Sequence, residues 1–332
     1  MKPWKTILTL AGAAFILAGS KAQGATYYSC GAGTDWDDPT NWSTTPCVGA
    51  CQEAQGGFPQ AGDTATVCAG DTITLDSPEG ITVLNVVGTL NTGSNTLTLS
   101  KSGATYADLN VTSTGVVNVD ANGKVLISGG GTGHTIESDA RLYLKGAGST
   151  LEITTRNVTI TGAGAIVGQN DAARITTASG KTLTSTLGTV GITGALEIDG
   201  GGSFTNNGIV DANDGTTTGR DTLLIDVRGT LSDGSKADRW KVSANGAKLQ
   251  FASTVGTISD MDGHFVMTTG NPSSEIIFDH ELSTDGRLQM SVGVVKVNEN
   301  VTFDADYATD SDSLDMRGEQ IEVAADRTFT HN

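Results

Sequence analysis

Apolar residues along this chain come in short runs of three to five residues, most of them alternating strictly with polar ones. Thr72–Leu75, Val83–Val87, Thr96–Leu99, Val116–Val119, Lys124–Ile127, Leu142–Leu144, Leu151–Ile153 and Val158–Ile160 show the pattern. A period of two marks strands with one buried face. Val, Ile, Leu and Thr fill these runs, and their β-branched members favour a pleated surface. Gly, Asn, Asp and Ser separate them, which is turn chemistry. After the N-terminal segment no window carries a 3.6-residue period, so the pattern predicts an all-β chain.

One short motif recurs, a Gly, any residue, then Ile, Leu or Val. It stands at Gly88–Leu90, Gly115–Val117, Gly123–Val125, Gly164–Ile166, Gly188–Val190, Gly194–Leu196, Gly208–Val210, Gly229–Leu231, Gly256–Ile258 and Gly293–Val295. Several intervals lie between 21 and 27 residues. That is near the length of one coil of a parallel β-solenoid, in which each turn stacks on the last. In this reading Gly supplies a corner with positive φ and the next strand begins at once. A pair of β-sandwiches is the competing arrangement. It needs a linker and many hairpin turns, whereas the chain has 6 Pro and few Asp-Gly signals (Asp233-Gly234, Asp285-Gly286). Lys236–Trp240 is the least β-like stretch and is expected to protrude as a loop.

Residues 1–22 read as an export signal. Lys2 and Lys5 precede the apolar stretch Ile7–Ala18, and Ser20–Ala22 fits a small-x-small cleavage site. The stretch is short of the ~20 residues that a membrane span needs, so the mature chain is expected to have no transmembrane segment. Four cysteines, Cys30, Cys47, Cys51 and Cys68, all lie in the first fifth of the chain. An even count in an exported chain points to two disulfides, with three pairings open. Four thiolates around zinc are the alternative, although no C-x-x-C pair is present. The predicted organisation is a signal peptide over 1–22, a Cys-containing cap over 23–70 and a parallel β-solenoid over 71–332.

The segment Asp35–Ser43 (DWDDPTNWS), followed by Phe58–Val67 (FPQAGDTATV), resembles the opening of many secreted bacterial surface proteins. Together with the Gly-x-[Ile/Leu/Val] strands it is similar to autotransporter passengers and haemagglutinin-like exoproteins. That resemblance implies a right-handed parallel β-helix at the cell surface. It covers about 35 residues closely and nearly the whole chain loosely, and it speaks to fold more than to function. Two departures stand out. The C-terminal membrane barrel of such passengers is missing from this sequence, and the four cysteines are not part of the general pattern.

Composition narrows the function. There are 20 Lys+Arg against 37 Asp+Glu, a net charge of −17. Such a surface repels phosphate, which excludes a long nucleic-acid binder. Gly (44 residues) and Thr (48 residues) argue against a helical bundle. His134, His264, His280 and His331 are scattered and form no metal or triad motif. Asp260–Asp262–His264 and Asp279–His280–Glu281 are the best local acid clusters for a polysaccharide-cleaving pair. The loop residues Asp304, Asp306, Asp310 and Asp312 offer oxygen ligands suited to calcium, or form a solvated acidic loop. Trp36 and Trp42 could stack on a glycan or fill the core of the cap. The closing residues Thr328, Phe329, Thr330, His331 and Asn332 echo the first half of Gly202–Val210. Three readings are open: the natural chain continues beyond them, another copy completes the end, or the last strand frays. The expectation is a secreted structural or adhesive protein, partnered by itself or by surface glycans. A β-helix polysaccharide lyase or hydrolase, or a glycan-binding adhesin, is the alternative.

Overall fold

A computed structural model of the chain describes residues 24–31, 33–47, 57–100, 109–112, 114–129, 131–213, 222–234, 237–269, 271–303 and 320–331. Its strands stack in parallel register on three faces around one core, a parallel β-solenoid. The first face begins with Thr26–Ser29, Thr64–Val67 and Val83–Val86 and runs through Val158–Gly162, Thr182–Leu187, Ser203–Asn206 and Thr230–Asp233 to Thr257–Ile258. Leu282–Thr284, Val301–Phe303 and Phe329–His331 form a further parallel stack. Trp42–Ser43 pairs antiparallel with Thr26–Ser29, the one antiparallel pair among the described strands.

The second face includes Val116–Val119, Arg141–Leu144, Val210–Ala212 and His264–Met267. The third includes Lys124–Ile127, Thr150–Ile153, Lys248–Phe251 and Glu275–Phe278. The two are joined because Ala165–Thr177 and Gly191–Gly200 run across the corner between them. Arg141–Leu144 stacks on the first part of Ala165–Thr177, and Thr150–Ile153 stacks on its second part. From Thr64 onward, stacked partners are separated by as few as 17 residues (Thr72 to Thr89) and as many as 30 (Val210 to Trp240). Corners absorb the difference, so strand registers survive the uneven spacing.

The alternation seen in the sequence is the alternation of burial. Lys124–Ile127, Thr150–Ile153, Lys248–Phe251 and Glu275–Phe278 each point two side chains out and two in. Each buried Leu, Ile, Val or Phe contributes ~1.5–3 kcal/mol of transfer free energy, and the core is continuous from Tyr27 to Phe303. It is largely aliphatic in the first half. In the second half it carries an aromatic column, Trp240, Phe251, Phe265, Phe278 and Phe303, with neighbouring centroids 5.2–6.3 Å apart.

Two expectations need correction. Asp238–Val242 is not a protruding loop: it is a second-face strand between Val210–Ala212 and His264–Met267, and Trp240 is fully buried. Arg239 secures this strand by reaching back to the carbonyls of Asn207 and Gly208 at 2.5 and 3.0 Å. The repeated glycines mostly lack positive φ; of the ten, Gly194 and Gly293 have it. What most of them need is room, since a Cβ on Gly88 or Gly115 would lie 2.2 Å from a carbonyl oxygen of the preceding coil.

The N-terminal unit continues the same stack, because Thr64–Val67 pairs with Val83–Val86. Cys47 and Cys68 are joined, and Cys30 is also disulfide-bonded; Cys51 lies outside the described residues. Residues 1–22 also lie outside them. No helix among the described residues is long and apolar enough to cross a membrane.

Candidate functional site

The outward positions of the third face carry most of the organised charge. Arg174 lies between two acids of the next coil, 3.0 Å from Glu197 and 2.6 Å from Asp199. This follows from register, since Arg174 pairs with Glu197 and Thr176 with Asp199. Thr176 donates its hydroxyl to Asp199 at 2.5 Å. Burial raises the Glu197 carboxyl above its usual range; Arg174 opposes the shift, and Asp199 and Asp226 add to it.

Further along the same face a groove of about 630 Å³ opens over Asp171, Thr222, Lys248, Gln250, Glu275 and Ile277. Glu275 is clamped by Lys248 at 2.7 Å and by Lys296 at 2.5 Å, one from the coil before and one from the coil after. Burial pushes its carboxyl up, but the two lysines outweigh that and hold it below the ordinary range. The groove therefore offers fixed polar groups beside one aliphatic side chain, Ile277.

The first face is different in kind. Its outward strand positions from Thr64 onward are Thr, Ser, Asn or Val, and none is charged among the described residues. One column reads Thr66, Asn85, Asn110, Thr135, Thr161, Thr186. Its amides are linked, Asn110 donating to Asn85 at 2.9 Å and Asn85 to Thr66 at 3.2 Å. A second column reads Thr159, Thr184, Thr205, Ser232. A third places Thr182 beside Ser203 and Thr230 beside Thr257. Nothing in the sequence pattern distinguishes these positions from outward positions elsewhere; only the stacking order gathers them.

The sequence-nominated residues are placed as follows. Trp36 and Trp42 are fully buried and meet edge to face at 5.0 Å. Their indole N–H groups donate to the carbonyls of Pro59 and Trp36 at 3.1 and 2.7 Å. A glycan cannot stack on rings so enclosed, so these tryptophans are core residues of the cap and not a glycan contact. Asp304, Asp306, Asp310, Asp312 and Asn332 lie outside the described residues. Thr328 donates to Asn300 at 3.2 Å, and Phe329 lies 5.8 Å from Phe303 at the end of the aromatic column. Phe329, Thr330 and His331 form a strand on Val301–Phe303.

The two acid clusters do not converge. Asp260 is exposed while His264 is buried. Asp279 is held in a ladder, accepting from Gln250 at 2.6 Å and from Asn298 at 2.7 Å. His280 contacts the neighbouring Glu281 carbonyl. Sequence reading missed Asp233, which is buried and accepts from Trp240 Nε1 at 2.6 Å and from the amides of Asp262 and Gly263 at 2.7 and 2.8 Å. Burial raises its carboxyl. Asp233 sits where the Asp-Gly pair suggested a hairpin, and its role is to stitch a corner. Among the described residues no group of three or more His, Cys, Asp or Glu is arranged to hold a metal. No family model matches the chain, and neither a curated protein nor a solved structure matches it.

Proposed function

We propose that the protein is a secreted structural or adhesive component of the cell surface or extracellular matrix. The observation that carries this reading is the unbroken core from Tyr27 to Phe303, which makes one stiff body out of uneven repeats. A stiff stack holds extended surfaces at fixed spacing, the property required of a spacer or an adhesive display. A charge of −17 keeps such bodies apart in solution and suits divalent cations as a bridge between them. Assembly end to end would add a strand from another copy beside Phe329–His331, whose described partner is Val301–Phe303.

Negative-stain electron microscopy of the protein from its native surface, with and without calcium chelation, tests this. Filaments of constant width support it. Isolated bodies across pH, calcium and concentration remove the filament.

A second reading, a glycan-binding adhesin or polysaccharide-active enzyme, is favoured by the third-face groove between Asp171 and Ile277. Glycan panels scored for binding and for new reducing or unsaturated ends test it. Turnover on any panel would replace the structural reading.

A further inference from the structure

We propose that the first face binds ice, through a two-dimensional array of threonine and serine hydroxyls on the strands from Val158–Gly162 to Thr257–Ile258. Five consecutive stacked strands contribute: Thr159 and Thr161; Thr182, Thr184 and Thr186; Ser203 and Thr205; Thr230 and Ser232; then Thr257. Their pairings run without a register shift. Neighbours along the stack are therefore ~4.8 Å apart, and neighbours along one strand, two residues on, ~6.6 Å apart. These two repeats lie near the spacings of water oxygens on a prism face of hexagonal ice.

Four features favour a water lattice over other partners. First, every one of these side chains is uncharged, in a protein where 17% of residues are charged. The other faces place Arg141, Asp211, Lys241, Lys124, Glu152 and Lys296 at equivalent outward positions. An ion holds its own hydration shell, which a solid lattice would have to strip. Second, the array has no aromatic ring to form a platform for a sugar. Third, threonine is stiff at χ1 and is packed between like neighbours, so its methyl and hydroxyl are held before contact and little entropy is lost on binding. Thr205 and Ser232 lie within 3.1 Å, the Thr230 amide donates to Ser203 Oγ at 2.9 Å, and the hydroxyls of Thr161 and Thr186 each donate at 3.3 Å to the carbonyls of His134 and Ile160, which orients these hydroxyls. Fourth, all of these side chains except the terminal Thr257 are half-buried in their rows, and none of these strand positions carries a long side chain.

Ice binding goes beyond the structural reading and is independent of it. Bodies that bind ice without assembling, or assemble without binding ice, separate the two.

The test is thermal hysteresis and ice-recrystallisation inhibition by the purified protein, with ice as the probe. The wild type is expected to shape ice crystals and slow their recrystallisation. Thr184→Lys and Thr205→Lys, at the centre of the array, should raise the concentration needed for half-inhibition by about tenfold or more. Thr98→Lys makes the same chemical change on the third face and should leave the activity intact. Circular dichroism and melting verify folding of each variant, and Thr230→Lys at the array's margin serves if a central variant does not fold. Three results would overturn the proposal: a folded wild type without ice shaping or inhibition, central lysine variants with full activity, or an inactive wild type that dimerises through this face until Thr205 is replaced.

Discussion

Acidification should weaken the fold through His134, and an asparagine at that position should remove the effect. His134 is fully buried behind the first face, and its Nδ1 accepts the Leu109 amide at 3.3 Å. That bond places the ring proton on Nε2, which has no partner among the described residues. Burial lowers the imidazole pKa from 6.5 to about 4, so the neutral ring is the folded form. Above pH 6.5 the ring is neutral in both states and contributes no pH dependence. Between 6.5 and about 4 the unfolded chain takes up a proton that the folded chain refuses, so stability falls as pH falls. Below that the loss levels off. The gap between the two values, at ~1.36 kcal/mol per unit, is worth roughly 3 kcal/mol. His134→Asn keeps an acceptor near Nδ1 without a titrating ring. Urea unfolding of both proteins across this range should show the wild type losing roughly 3 kcal/mol relative to the variant. The raised carboxyls of Asp211, Asp233 and Glu197 are common to both chains and cancel in the difference. A ring that titrates near its ordinary value by NMR, or parallel loss of stability in both proteins, would refute the reasoning.

Three further outcomes follow from local geometry. Asp233→Ala should cost about 3 kcal/mol or more in chemical denaturation, because it leaves the Trp240 indole N–H and the Asp262 and Gly263 amides without their acceptor. Gly162→Ala should lower the melting temperature by the equivalent of about 1–3 kcal/mol or more, since Gly162 has φ +122° and a Cβ there would lie 2.0 Å from the Ile136 carbonyl oxygen. A melting point unchanged from wild type would show that the corner relaxes freely. Replacing Cys47 and Cys68 by serine should cost ~3 kcal/mol by the chain-entropy estimate for a link 21 residues apart, measured by urea unfolding under oxidising conditions.

The strands and their buried faces were legible because a solenoid repeats one local rule. Each run needs an inward residue at every second position, and Val83–Val86 or Lys124–Ile127 display that without help from distant sequence. Asp238–Val242 was not legible, because Lys236 and Ala237 precede it, Asp238 and Arg239 open it, and only Trp240 and Val242 advertise burial. The glycines were located correctly, but positive φ explains only Gly194 and Gly293 of the ten. A sequence shows that a Cβ is missing, and it takes the stacked coil to show that the missing atom would strike a carbonyl. Trp36 and Trp42 lay open to two readings for a similar reason: an indole serves a core or a sugar equally well until its surroundings are known.

The surfaces were the least legible part, and the reason bears on what they do. Inward positions are fixed by packing in one core, so any sequence with the right volumes satisfies them. Outward positions are free of that constraint, and β-propensity alone would favour Thr equally on every face. The faces nevertheless differ. The third carries three groups of ion pairs, Lys124 with Glu152, Arg174 with Glu197, and Lys248 and Lys296 with Glu275. The first carries no charge at its outward strand positions, from Thr64 to Thr257 among the described residues. Fold stability cannot produce that contrast, because exposed ion pairs and exposed hydroxyls each contribute little to it. Solubility would favour charge on both. A face kept free of charge in an acidic protein is most simply a face that meets something, and hydroxyls in fixed rows restrict what that can be.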